Sequence, residues 1–271
     1  DTLIPTMSIA ITPPAELPEH DILHFPKGAN AGDCIHKAFE LCEFTDPSDW
    51  EKAIGLALSA YPQKQDGVSV EEQQRRLTAP LQQMMHDVLN TRLPDGIVLG
   101  NIGRMKRLSE LGFHLPAAKL SAHAINYALR QLGYDVPRLS FSDLECYLKG
   151  FIDLVFEHEG RYYILDWKSN HLGFHAADYS AQRVADAMAE SGYHLQHLLY
   201  SVALNRYLAR RIRGYRYATH FGGVLYLFVR GVRPDWINAD GTPSGVYFHR
   251  PAEQAIRQLD AFFNSGKAQA A

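Results

Sequence analysis

Hydrophobic residues change their spacing several times along this 271-residue chain, and the changes mark out its elements. Residues 1–30 show little periodicity and carry Pro5, Pro13, Pro14, Pro18 and Pro26, which predicts an extended linker or arm. Asp33 then stands where a helix cap is expected, ahead of Cys34-Ile35-His36-Lys37-Ala38-Phe39-Glu40. Between about 50 and 95 the apolar positions Leu56, Leu58, Leu77, Leu81, Met84, Met85, Val88 and Leu89 recur with helical spacing. Leu108, Phe113 and Leu115 predict a strand over Arg107–Leu115 ended by Pro116, and a helical pattern returns between 118 and 133. Tyr147–Glu157 and Arg161–Lys168 are rich in aromatic and β-branched residues and flank a short polar turn, as two strands would. Helical runs follow over about 177–190 and 192–212. Phe221–Val229 is almost continuously apolar, the pattern of a strand buried on both faces. A last helix is expected at about 251–264, before a small-residue tail. The order helix, strand, strand, strand, helix, strand, with extra helices in the N-terminal half, predicts an α/β fold with a mixed sheet. No internal repeat is present. The chain divides into an arm over 1–30 and a domain over 31–271, whose core lies at roughly 31–45 and 105–265 with a helical insertion at about 50–100.

Composition narrows the class of protein. Hydrophobic residues make up 46% and charged residues 21%, ordinary for a globular chain. No apolar run approaches the ~20 residues that cross a bilayer, and the N-terminus lacks the pattern of a secretory signal. The chain opens on Asp1 rather than Met, so a fragment of a longer protein is expected. Cys34, Cys42 and Cys146 are too few and too scattered for a disulfide framework or a four-thiolate site, which points to a reducing, cytoplasmic compartment. The formal net charge is −3, from 27 basic and 30 acidic residues. That balance argues against a module that merely coats nucleic acid, but not against an enzyme whose acidic site is neutralised by cations.

The two predicted strands around Glu159-Gly160 carry the chemistry. A two-residue turn there pairs His158 with Arg161 and sets Asp153 opposite Asp166, with Cβ atoms roughly 5 Å apart. Alternation adds Lys168 to the same face and gathers Ile152, Leu154, Phe156, Tyr163, Leu165 and Trp167 on the apolar one. Two like charges at that distance repel, and a divalent cation with a preference for hard oxygen ligands, Mg²⁺ or Mn²⁺, resolves the conflict. The neighbouring ammonium of Lys168 can orient or deprotonate a water, or meet charge developing on a phosphate. An exposed Asp–Lys ion pair on a surface hairpin is the ordinary alternative. Here both acids interrupt apolar strands, where unpaired charge is costly.

Leu148-Lys149-Gly150-Phe151-Ile152-Asp153-Leu154 followed by Leu165-Asp166-Trp167-Lys168-Ser169-Asn170 resembles the C-terminal nuclease domains of RecB-type helicase–nuclease subunits, within the PD-(D/E)XK superfamily. The likeness extends through Tyr193–Tyr200 and His220–Gly231, and weakly back to Phe25–Phe44. It implies a restriction-endonuclease-like core, α-β-β-β-α-β. It also implies Mg²⁺, with Mn²⁺ as substitute, held by His36, Asp153, Asp166 and the main-chain carbonyl of Trp167. Lys168 would be catalytic, with Glu110, Gln196 and Tyr200 in support. Taken singly, His36 and Glu110 read as a structural or surface histidine and an exposed glutamate. Gln196 and Tyr200, four apart, share one helix face, where a core-facing tyrosine is the plain alternative.

The activity implied is that of a deoxyribonuclease of the exodeoxyribonuclease V type, acting on double-stranded DNA ends and single-stranded product in recombinational repair. The implied protein partners are RecC-like and RecD-like subunits and the helicase part of a longer chain, with no membrane. No phosphate-binding Gly-rich loop with Lys-Ser/Thr is present, so ATP-driven unwinding cannot reside in this sequence. Nor are there four cysteines for the iron–sulfur cluster of some relatives. A non-catalytic module of the same fold, binding DNA or a partner subunit, is the competing reading. A hydrolase of small phosphate esters is a third, which leaves Gln196 and Tyr200 unexplained. Arg206, Arg210, Arg211, Arg213 and Arg216 form a basic concentration suited to DNA phosphate, a partner subunit, or a solvated helix end.

Overall fold

The computed structural model describes residues 21–63, 67–120, 122–131, 133–134 and 144–263. Helices α1 (Ala29–Leu41), α2 (Trp50–Ala60) and α3 (Val70–Asn90) precede the first strand, β1 (Arg107–Leu120). Helix α4 (Ala122–Gln131) leads to the hairpin of β2 (Leu144–His158) and β3 (Arg161–Lys168). A crossover of α5 (Ala181–Glu190), α6 (Tyr193–Arg211) and the single turn α7 (Tyr217–His220) returns to β4 (Phe221–Phe228). Strand β5 (Val246–His249) and helix α8 (Glu253–Phe262) follow. The strands form one sheet in the order β1-β2-β3-β4-β5, with β3 and β4 parallel and the other neighbours antiparallel. This is the expected α/β fold with a mixed sheet. No helix among the described residues is long and apolar enough to cross a membrane.

Each face of the sheet is covered by its own helices. Leu154, Phe156, Tyr163, Leu165, Trp167, Leu225 and Leu227 pack with α1, α2 and α3. Val155, Ile164, Val224, Tyr226 and Phe228 pack with α5, α6 and α8. Strands β3 and β4 are therefore apolar on both faces, which explains their near-continuous hydrophobic sequence.

Several expectations need correction. Helix α1 starts at Ala29 with Gly28 at its N-cap, so Asp33 lies inside the helix. Strand β1 does not stop at Pro116, which pairs with Tyr147; β1 is an edge strand, where a missing N–H leaves no ladder bond unmade. Ile152 packs with the α6 side, not with Leu154 and Phe156. The short β5 was not anticipated. Of the expected arm, residues 1–20 lie outside the described residues, as does the tail over 264–271. The arm's last part is docked rather than extended, with Ile22, Leu23 and Phe25 buried. Arg230 holds it there by donating to the carbonyls of Ile22, Phe25 and Pro26.

Candidate active site

The β2–β3 turn fixes the geometry of everything above it. Glu159 and Gly160 have φ of 49° and 77°, both left-handed, the condition for a two-residue turn that matches strand twist. The ladder runs from His158↔Arg161 to Leu154↔Leu165, which is the expected register. One residue further on, the Asp153 carboxylate takes over from the ladder. Its Oδ2 accepts the Trp167 N–H at 2.9 Å. On the other side of Asp153, β1 pairs Ser109 with Leu154 and Leu111 with Ile152, while Glu110 between them has φ of 53°. The faces exchange at this point, because Leu111 and Ile152 turn to α6 whereas Leu154 turns to α1. The exchange is the physical reason that Ile152 leaves the apolar face that strict alternation assigned it.

Charged and polar groups converge on this break. His36 on α1 places Nδ1 3.4 Å from Asp153 Oδ2. Lys168 Nζ lies 2.6 Å from Asp166 Oδ2 and donates to Gln196 Oε1 at 3.1 Å. Gln196 Nε2 donates to the Tyr200 hydroxyl at 2.9 Å, and the Tyr226 hydroxyl donates to Gln196 Oε1 at 3.1 Å. The amide is thereby fixed in one orientation. Tyr193 presents its ring 3.8 Å from Lys168 Nζ. Glu110 stands at the exposed rim, near enough to His36, Asp153 and Asp166 to affect or feel their charge. Each sequence-predicted site residue is therefore part of one neighbourhood, although α1, β1, the hairpin and α6 are far apart in the chain.

Electrostatics show what is unsettled here. Burial pushes Asp153 up to about 6, against the pull of the Trp167 N–H and Lys168. Burial, then the charge of Asp153, pushes Asp166 up to about 7, with Lys168 pulling the other way. Burial lowers His36 despite the attraction of Asp166, keeping its ring in the neutral form that ligates metals. Two buried carboxyl groups with raised pKa values, close enough to feel each other, form an environment that a cation would relieve. Among the described residues no three His, Cys, Asp or Glu side chains already stand as a ligating cluster. Lys168 is paired with Asp166. The donors nonetheless fit a hard divalent ion: two carboxylates, a main-chain carbonyl and a neutral imidazole.

Residues 24–269 match the model of the PD-(D/E)XK nuclease superfamily. This chain belongs to that superfamily. Among the relatives of this PD-(D/E)XK chain is the RecBCD enzyme subunit RecB of Escherichia coli K12, 37% identical over 270 residues, covering 96% of the chain and 21% of that protein. The RecB subunit of Haemophilus influenzae is 35% identical over 249 residues, 90% of the chain and 19% of the relative. That of Mycolicibacterium smegmatis is 34% identical, covering 89% of the chain and 24% of the relative. The chain thus spans about a fifth to a quarter of these relatives.

Two side chains that the structure brings to this candidate site escaped sequence reasoning, Tyr193 and Tyr226. Tyr193 could have been found from its place three residues before Gln196, on the same face of α6. Tyr226 reads as one more core residue of an apolar strand. Its place beside Gln196 follows only from the parallel register that pairs it with Asp166.

Proposed function

We propose that this chain is a Mg²⁺-dependent DNA nuclease domain, with Asp153, Asp166, His36 and the Trp167 carbonyl as metal ligands. The observation that carries the proposal is the placement of two pH-shifted carboxylates beside Lys168 at the break in the β2–β3 ladder. Members of this superfamily typically use divalent metals. When bound, the cation supplies Lewis acidity and a template for an attacking water and a phosphodiester oxygen.

The chain's own residues supply the rest. Lys168, braced by Asp166, Gln196 and the Tyr193 ring, has its Nζ held at a fixed point where charge develops on the phosphoryl group. Gln196 cannot turn away, because Tyr200 and Tyr226 hold both ends of its amide. Asp153 is oriented by the Trp167 N–H, and Glu110 adds negative charge at the rim. By likeness to RecB, the domain works within a longer helicase–nuclease, with RecC-like and RecD-like partners, on DNA ends during recombinational repair.

Replacing Asp166 or Lys168 by Ala should lower Mg²⁺-dependent cleavage of linear or single-stranded DNA by roughly 100-fold or more. Cleavage that survives either substitution overturns the assignment.

A further inference from the structure

One stripe of α6 leads out of the candidate site. Gln196, Tyr200, Ala203, Tyr207 and Arg210 follow at intervals of four and three, so they share one helix face, and Arg211 adjoins its end. The first two belong to the hydrogen-bonded chain from Lys168. Tyr200 then meets Phe113 of β1 edge-on, with ring centroids 5.5 Å apart. Phe113 lies across Gly150, where any Cβ would come within 2.7 Å of its ring, so its position is set by the absence of a side chain opposite. Beyond this contact a groove of about 380 Å³ opens between β1 and α6, lined by Phe113, Ala203, Arg206, Tyr207, Arg210 and Arg211.

The lining combines aromatic faces with positive charge. Arg206 is already paired with Asp260. Arg210 and Arg211 are exposed, and the Arg211 guanidinium sits 5.2 Å over the Tyr207 ring. Cations favoured by the C-terminal pole of α6 would account for the arginines alone. They would not account for a groove whose lining sets the rings of Phe113 and Tyr207 beside them, next to the Tyr200–Phe113 contact. Aromatic faces beside a basic track are how proteins hold single-stranded nucleic acid. In a chain of net charge −3, such a track has to be local.

We infer that this groove binds a single strand of DNA running from the candidate site along α6, with Tyr207 and Phe113 as stacking surfaces and Arg210 and Arg211 on phosphates. The inference rests on the nuclease reading and adds the form and path of the substrate. From Gln196 to Arg211 the helix rises about 22 Å, room for at most about six phosphates at ~3.4 Å per strand step.

Fluorescence anisotropy with a labelled oligothymidylate, measured in EDTA so that nothing is cut, tests it. The double variant Arg210→Glu/Arg211→Glu should weaken binding about 10-fold or more and flatten the salt dependence by the ~0.7 per phosphate contact of a single strand. Tyr207→Ala should weaken it roughly 5-fold with the salt dependence unchanged. Arg210→Lys/Arg211→Lys should retain most of the affinity, which separates lost charge from lost folding. Arg75→Glu/Arg76→Glu, the same charge change on α3, is the control. Equal effects of the two reversals overturn the inference. So does unchanged binding in the groove variant, which would assign the surface to a protein partner. Because cleavage is not read, failure here leaves the nuclease reading intact. Conversely, cleavage that survives Asp166→Ala removes that reading whatever the oligothymidylate does.

Discussion

Asp166 sits almost wholly out of solvent beside a second carboxylate, and that placement sets the pH behaviour of the metal-free site. Its folded value of about 7, and that of about 6 for Asp153, both lie above the ordinary carboxylate range. A raised value means that folding favours the protonated form. The stabilisation is therefore complete below about pH 4 and is lost as pH rises through 6 to 7. Thermal melts in EDTA should show the wild type losing stability across that window relative to Asp166→Asn. Parallel curves for the two proteins would contradict the assignment. The register from His158↔Arg161 to Leu154↔Leu165 is legible in sequence because a two-residue turn fixes it, and it brings the two acids to the end of the same ladder. Tyr226 is not legible in the same way. Its meeting with Gln196 depends on a parallel pairing across a crossover of more than 50 residues, which no local pattern encodes.

At the scale of elements, the site depends on α1 lying close against the end of β3. Phe39 stacks on Trp167 with ring centroids 4.1 Å apart. Gly32 approaches Ser169 so closely that a Cβ would come within 2.8 Å of its hydroxyl oxygen. Buried Arg230 ties the same region together, donating to Ser169 as well as to Ile22, Phe25 and Pro26. Arg230→Met would leave four carbonyls without their donor. It should cost about 3 kcal/mol or more, read as a lower denaturant midpoint at unchanged slope. A loss under about 1 kcal/mol would show that water replaces the guanidinium without penalty. Long periodic elements such as α3, α6 and the hairpin are plain in the sequence because each buries a continuous face. The start of α1, the continuation of β1 past Pro116 and the four-residue β5 are not. Edge position and tertiary docking decide them, and neither leaves a local signature.

Across the whole molecule, the sheet separates support from chemistry. Helices α1 to α3 and their apolar core brace one face, while α6 brings Gln196 and Tyr200 to the other. The faces exchange at Glu110 and Asp153, and there His36 from the supporting side reaches Asp153. Strict alternation predicts two acids and a lysine on one face. The exchange explains how a histidine from the opposite layer joins them, which only the likeness to RecB-type domains suggested in advance. The groove between β1 and α6 lies along the same helix that carries Gln196 and Tyr200. The central claim is that this neighbourhood holds a divalent cation. Anomalous diffraction from crystals soaked in Mn²⁺ tests it most directly. The account predicts a peak among His36, Asp153, Asp166 and the Trp167 carbonyl that disappears in Asp153→Ala. Mn²⁺ bound only elsewhere, or a peak there that survives Asp153→Ala, would contradict it.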